Sequence, residues 1–252
     1  MTFFLILIAT SSIAILSLSG IIGLALMKKH VHASMLGLVA LSAGAMLGNA
    51  FMHLLPEAIE LSENGPISVF TIMLLVVGSF VASFLFEQFF SWHHCHDTEK
   101  CEKVEKPYAH LVLYSDGIHN FIDGLIIAAA FMVSPSLGIS TTLAIALHEI
   151  PQELGDYAVL VHGGFSKIRA AVYNGISAST VLLGGIAGYF LSGSVTWAVP
   201  VLLPIAAGGF IYIAAADLLP ELRHNNSRSN IPLYFLIFLS GLSLMIGTAV
   251  FL

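Results

Sequence analysis

Long apolar segments recur along the whole of this sequence and constrain its fold more than any other feature. Eight of them are about 20 residues long, which is the length that an α-helix needs to cross the hydrocarbon core of a bilayer. Backbone polar groups must be satisfied internally in hydrocarbon, so such segments cross as helices. We place the spans near residues 3–27, 33–56, 67–90, 109–131, 138–161, 169–190, 198–221 and 231–251. The sequence therefore predicts an all-α integral membrane protein with eight transmembrane helices.

The composition agrees with this class of protein. Hydrophobic residues make up 57% of the 252 residues and charged residues 10%, and the mean hydropathy is +0.92, values that a soluble domain does not show. The connections are short, so we expect a single transmembrane domain over residues 1–252. The first span is too long for a removable signal peptide and lacks a basic start, so we interpret it as a spanning helix. The net charge of −6, without a basic field, gives no reason to expect nucleic acid as a partner.

Basic residues are confined to alternate connections between the spans. All nine lie in odd-numbered connections, whereas the second connection carries Glu57, Glu60 and Glu63. By the positive-inside rule the odd connections face the cytoplasm, and both termini then lie outside. We expect the protein in the plasma membrane, which is the inner membrane of a Gram-negative cell.

Polar residues concentrate in two of the spans. The fourth contains H-N-F-I-D-G from His119 to Gly124, and the fifth contains H-E-I-P-Q-E-L-G-D from His148 to Asp156. At about 100° per residue, positions i, i+1 and i+4 share one face of a helix. The residues with this spacing are His119, Asn120 and Asp123 in the fourth span, and His148, Glu149 and Gln152 in the fifth. Both histidines are about 15 Å deep at 1.5 Å per residue, so we expect the two motifs to meet near the midplane.

These side chains predict a site for a divalent cation. Ionisable groups in hydrocarbon are costly unless they are paired, solvated or bound to a metal. Polar contacts between helices would account for one or two such groups, but poorly for several carboxylates and two histidines at one depth. Asp123 and Glu149 supply anionic charge, and His119 and His148 supply nitrogen ligands that favour Zn²⁺, Fe²⁺, Mn²⁺ or Cd²⁺ over Ca²⁺ or Mg²⁺. Gln152 offers only a neutral oxygen, which should weaken affinity or alter the choice of ion.

Two further motifs mark a possible route to and from this site. His53 and Glu57 close the second span in H-L-L-P-E, and Asp217 and Glu221 close the seventh in D-L-L-P-E. His53 and Asp217 each follow a glycine by nine positions, and the two spans run in opposite directions. We therefore predict an inverted repeat of the first three and last three spans around the central pair, although this ending is common in apolar helices. The pathway or gate candidates are His53, Glu57, Asp116, Glu153, Asp156, Asp217 and Glu221, with packing an equal alternative for His53 and Asp217.

The third connection, residues 91–107, is rich in metal-binding side chains. His93, His94, Cys95, His96 and Cys101 lie within nine residues of one another. A solvated polar loop is the alternative, but the same ligand types occur in the membrane site, so we interpret this cluster as an auxiliary cytoplasmic metal-capture site. The cysteines should be thiols in the reducing cytoplasm.

Together these motifs resemble those of the ZIP (Zrt/Irt-like) metal-ion transporters. The resemblance rests on H-N-F-x-D-G, H-E-x-P-x-E-x-G-D, H-L-L-P-E and the histidine-rich connection. It implies a 3+2+3 helix arrangement, frequent homodimers, and uptake of Zn²⁺, often with Fe²⁺, Mn²⁺ or Cd²⁺, without a catalytic cofactor. It also implies a primary metal site of His119, Asp123, His148 and Gln152, and an adjoining one of Asn120, Asp123, Glu149 and Gln152.

Two differences from the family pattern bear on these expectations. Many similar relatives have histidine where this chain has Gln152, which affects the choice of ion. Some members have a carboxylate in the sixth span beside a second metal, and the sixth span has none here.

Two other functions fit part of the pattern. An intramembrane zinc protease would use H-E-x-x-H, but position 152 is glutamine, so the second zinc ligand is missing. A passive metal channel would share the site, although paired repeats favour alternating access. We therefore predict a transporter of divalent transition-metal cations, foremost Zn²⁺, and not an enzyme.

Overall fold

The computed structural model describes residues 1–26, 31–63, 65, 67–93, 105–224 and 231–251, and within these ranges it contains helices and no strand. The helices are α1 Thr2–Leu26, α2 Val31–Asn49, α3 Leu55–Glu63, α4 Val69–His93, α5 Pro107–Val133, α6 Pro135–His162, α7 Lys167–Ala178, α8 Thr180–Phe190, α9 Ser192–Tyr212, α10 Leu219–His224 and α11 Ile231–Phe251. Two π-helical segments, Ala50–Leu54 and Ile213–Leu218, join α2 to α3 and α9 to α10.

The predicted all-α membrane fold is confirmed. Five spans are single helices, and the second, sixth and seventh are the pairs α2–α3, α7–α8 and α9–α10. Seven of the eight are long and apolar enough to cross a membrane. The remaining one, α6, has 28 residues and is long enough, but the polar residues of its motif lower its hydropathy.

The π-helical segments explain why two spans continue beyond the prolines at which they were expected to end. Pro56 and Pro220 lack an N–H group, and each ring would clash with the carbonyl four residues earlier in a regular α-helix. Those carbonyls belong to Met52 and Ala216, which both lie within π-helical turns. The wider turn accommodates the proline, so the second span runs on to Glu63.

The two motif-bearing spans pack in the same way against their neighbours. A Cβ atom at Gly44 of α2 would lie 2.1 Å from the carbonyl oxygen of Phe238 in α11. A Cβ atom at Gly208 of α9 would lie 2.4 Å from the carbonyl oxygen of Val76 in α4. These matching contacts, and the matching π-helical turns, support the inverted repeat, which stays a prediction.

Helix α5 is held in register by a close backbone contact with α8. A Cβ atom at Gly184 would lie 1.9 Å from the carbonyl oxygen of Phe121, and one at Gly124 would lie 2.1 Å from that of Val181. Small residues at such a crossing let two backbones approach closely. Because Gly124 directly follows Asp123, this contact also fixes the height of the polar motif on α5.

We expect Gly184→Ala to destabilise the protein by about 1–3 kcal/mol, because the added methyl group must displace backbone. Thermal unfolding of the purified protein in detergent measures the change. Gly247→Ala is the matched control, since nothing lies within 4 Å of a Cβ atom there. Equal unfolding temperatures for the two variants would contradict the packing described for α5 and α8.

Candidate metal centre

Four side chains from α5 and α6 converge on one point. One ligand atom from each of His119, Asp123, His148 and Glu149 lies within 4.8 Å of all the others. Asp123 Oδ2 is 3.2 Å from His148 Nε2 and 3.7 Å from His119 Nε2. Glu149 Oε1 is 3.4 Å from His119 Nε2 and 3.8 Å from His148 Nε2. The helical spacing predicted from the sequence therefore brings two imidazole nitrogens against two carboxylate oxygens.

Burial makes this cluster suited to a cation. The four side chains are 1–6% exposed. Neither carboxylate oxygen of Glu149 has a hydrogen bond to any described residue. Its nearest charged neighbours are the two histidines, and two carboxylates buried at one site repel each other, so a bound dication would supply compensating charge. Two nitrogens and two oxygens form a ligand set that Zn²⁺ accepts, at about 2.0–2.2 Å, after a small inward movement of each side chain.

A cavity of about 330 Å³ reaches the cluster from the side predicted to face outward. We call it the outer cavity. His119, Asp123 and His148 line its inner end, and the outer halves of α5 and α6 form much of its wall. Its remaining polar lining residues include Asn49, His53, Glu57, Ser140 and Thr141. An ion entering here would meet the cluster without crossing hydrocarbon.

The two gate candidates of the second span lie in this cavity. The His53 ring is 5.5 Å from the His148 ring, and His53 Nε2 is 3.0 Å from the hydroxyl of Thr248. Glu57 lines the same cavity. Their predicted role in gating remains a prediction, but their position on the approach to the cluster is consistent with it.

The polar residues of α2 and α6 reveal a member of the site that sequence reasoning missed. Asn49 is fully buried, and its Nδ2 donates to Gln152 Oε1 at 2.8 Å and lies 3.2 Å from His119 Nε2. A signal was available, because Asn49 precedes His53 by one helical turn in a span expected to approach the site. Gln152 also donates to Asp116 Oδ1 at 3.3 Å, so its amide lies beside the cluster and bonds to its neighbours.

A layer of buried carboxylates lies one turn further toward the predicted cytoplasmic side. Asp116, Glu153 and Asp156 are each at most 1% exposed. Asn120 donates to Asp116 Oδ1 at 3.0 Å and to Glu153 Oε1 at 3.4 Å. Asn174 of α7 donates to Glu153 Oε2 at 2.6 Å. Asn120 therefore belongs to this layer by its hydrogen bonds, and its predicted role as a metal ligand remains a prediction.

The gate candidates of the seventh span, Asp217 and Glu221, do not line the outer cavity. Glu221 pairs with Lys106 and His162, at the ends of α5 and α6. Asp217 lies beside Glu87, which accepts a hydrogen bond from Tyr212. The metal-capture cluster predicted for His93, His94, Cys95, His96 and Cys101 lies outside the side chains that the structure describes.

Comparison with known proteins identifies the family. The model of the ZIP zinc transporter family matches residues 3–111 and 93–249. Zinc transporter zipt-7.1 of Caenorhabditis briggsae is 28% identical over 88% of this chain and 73% of its own length. Zinc transporter ZIP13 of Pongo abelii is 32% identical over 85% of this chain and 66% of its own length. Human zinc transporter ZIP10 is 36% identical over 64% of this chain, which spans only 21% of that protein.

The family match extends over nearly the whole sequence and includes both motif-bearing central spans. It agrees with a helical membrane fold that carries a buried nitrogen and oxygen cluster. The family consists of transporters, which argues against the protease alternative independently of Gln152. The chain belongs to the ZIP zinc transporter family.

Proposed function

We propose that this chain carries divalent transition-metal cations, foremost Zn²⁺, across the membrane into the cytoplasm. The observation that carries the proposal is the convergence of His119, Asp123, His148 and Glu149 at the inner end of the outer cavity. Family membership supports transport as the activity. Each ion would bind between α5 and α6, midway along its route.

The ligand types support the choice of ion. Imidazole nitrogen suits Zn²⁺ and its transition-metal neighbours, whereas Ca²⁺ and Mg²⁺ prefer sites built from oxygen alone. Two carboxylates balance the charge of one dication. The neutral amides of Asn49 and Gln152 add no further charge, so a bound ion should remain able to leave.

The proposed route begins in the outer cavity and ends at the predicted cytoplasmic side. Entry is past His53 and Glu57 in the outer cavity. The ion then passes from the cluster to the buried carboxylate layer and leaves past Asp217 and Glu221. The third connection, residues 91–107, would capture it on the cytoplasmic side. The plasma membrane location, the homodimer and the 3+2+3 arrangement accompany this proposal as predictions.

Uptake of radioactive zinc by proteoliposomes that contain the purified chain tests the proposal. We expect saturable uptake that excess Cd²⁺, Mn²⁺ or Fe²⁺ reduces, because these ions share the ligand preference. Excess Ca²⁺ or Mg²⁺ should have little effect. Empty liposomes are the control, and uptake equal to theirs under all ion conditions would contradict the proposal.

Alternating access is favoured over a passive channel. The outer cavity reaches the cluster, whereas the carboxylate layer beyond it is closed to solvent. A site open to one side at a time is the arrangement of a carrier. Vesicles preloaded with unlabelled zinc should therefore accelerate entry of labelled zinc by exchange. Flux that rises linearly with concentration and follows voltage alone would indicate a channel.

A further inference from the structure

We propose that Lys106 is the gate residue on the predicted cytoplasmic side, and that its ion pair with Glu221 must break before the metal ion can leave. This inference rests on the proposed transport function. Nothing in the motifs pointed to Lys106, which lies just before α5 in a basic connection.

The contacts join three chain segments at one carboxylate. Lys106 Nζ donates to Glu221 Oε1, and His162 Nε2 lies 2.8 Å from the same oxygen. The backbone N–H of Lys106 donates to the carbonyl oxygen of Gly163 at 2.7 Å, which ties the start of α5 to the end of α6. Glu221 lies on α10, so the ion pair connects α10 to both helices that carry the metal cluster.

The glutamates of the two L-L-P-E motifs differ in their surroundings: one lines an open cavity and the other is held in an ion pair. Glu57 of the second span lines the outer cavity and makes no ion pair within the described part of the chain. Glu221, at the equivalent position of the seventh span, is held by Lys106 and is only 16% exposed at its side chain. An inverted repeat that opens one side at a time predicts this asymmetry. The structure is then the outward-open state, with Lys106 closing the inner side.

Competition for Glu221 would couple the gate to the ion. Opening the inner side requires α10 to separate from α5 and α6, which the ion pair resists. A dication that reaches Glu221 and His162 offers them a stronger positive charge than the ammonium group of Lys106. The arriving ion would therefore displace Lys106 and favour opening in the direction of release.

Reciprocal accessibility of two engineered cysteines tests the gate without relying on transport. Ala144→Cys lies in the wall of the outer cavity. Ser42→Cys lies in the closed inner half, where Ser42 donates to Asp156 Oδ1 at 3.3 Å. Each is placed in a Cys95→Ser, Cys101→Ser background, and labelling by a maleimide is timed in nanodiscs, where both faces are accessible. Each is then combined with Lys106→Met.

We expect Lys106→Met to speed labelling at Ser42→Cys at least about threefold, because loss of the pair raises the population of the inward-open state. Labelling at Ala144→Cys should slow. Lys106→Arg and the charge-swapped pair Lys106→Glu, Glu221→Lys should restore the original rates. Arg169→Met, which removes a positive charge that pairs with Glu105 and not with Glu221, is the matched control and should change neither rate.

Unchanged labelling in properly folded Lys106→Met would overturn the gate, as would an equal change in Arg169→Met. If Lys106→Met does not fold, the charge-swapped pair still tests the gate. The double variant Lys106→Glu, Glu221→Lys must be labelled at the rates of the parent, whereas Lys106→Glu alone must be labelled at different rates. If labelling responds as expected but the protein transports no zinc, the role of Lys106 as a gate is supported and the proposed function is refuted. If the protein transports zinc but substitution of Lys106 does not change labelling, the proposed function is supported and the gate is refuted.

Discussion

Asp123→Ala is expected to lower zinc uptake by more than about 100-fold, since loss of outer-shell partners of a metal ligand already costs 10–100-fold. Asp123 Oδ2 lies between the two histidines, 3.2 Å from His148 Nε2 and 3.7 Å from His119 Nε2. Removing it takes away half of the anionic charge of the cluster and the oxygen that both imidazoles face. Initial rates of radioactive zinc uptake into proteoliposomes measure the loss.

Glu63→Ala is the matched control, because Glu63 is an exposed carboxylate at the end of α3. Its uptake should equal that of the parent chain. Both variants are reconstituted in equal amounts, and their thermal unfolding in detergent shows that they are folded. Normal uptake by Asp123→Ala would remove the central binding step from the proposed mechanism.

Glu149→Gln is expected to have two effects of opposite sign. Neither carboxylate oxygen of Glu149 has a hydrogen bond to any described residue, although the side chain is buried. Glu149 shares its buried site with a second carboxylate, Asp123, and the histidine contacts at 3.4 and 3.8 Å offset the cost of the two like charges only in part, so the neutral amide should stabilise the metal-free protein. The same change removes a metal ligand, and zinc should then stabilise the variant far less than the parent.

Thermal unfolding with and without zinc separates the two effects. At 100 times its dissociation constant a ligand adds about 2.7 kcal/mol of stability, and Glu149→Gln should lose most of this increment. Glu60→Gln, an exposed carboxylate on α3, should behave like the parent in both conditions. If Glu149→Gln is less stable than the parent without metal, yet responds fully to zinc, the account of this side chain is wrong.

The apolar segments were sufficient to predict the helices, because their length and hydropathy report directly on the membrane. They did not predict the division of the sixth span at Ser179, where the Ser179 hydroxyl donates to the carbonyl oxygen of Gly175 at 2.6 Å. Nor did they predict the two π-helical turns. Both features depend on which side chains and prolines meet particular backbone carbonyls, and hydropathy averages over that information.

The convergence of the four side chains was predictable because helical spacing alone places them on two facing stripes. His119, Asp123, His148 and Glu149 converge on one point, and their role as metal ligands stays a prediction. Asn49 was missed although it precedes His53 by one helical turn, because a single amide in an apolar span is weak evidence without knowledge of its neighbours. The orientation of Gln152 was equally hidden, since it depends on hydrogen bonds to Asn49 and Asp116.

The contact between Lys106 and Glu221 could not be predicted from the sequence. In the sequence Lys106 is one of nine basic residues from which we predict the topology, and its contact with Glu221 joins positions 115 residues apart. Only the fold brings these two residues together. Glu57 and Glu221 occupy the same position of the same motif, but only Glu221 is paired with a lysine in the described part of the chain. This difference is the basis for interpreting Lys106 as a gate residue.

Zinc uptake by proteoliposomes that contain His119→Ala, His148→Ala, measured beside the parent chain, tests the central claim most directly. The two imidazoles are the nitrogen ligands that we propose for the cluster within the described part of the chain. The account predicts saturable uptake by the parent and uptake no greater than that of empty liposomes by the folded double variant. Equal saturable uptake by both proteins would show that the ion crosses the membrane without binding between α5 and α6.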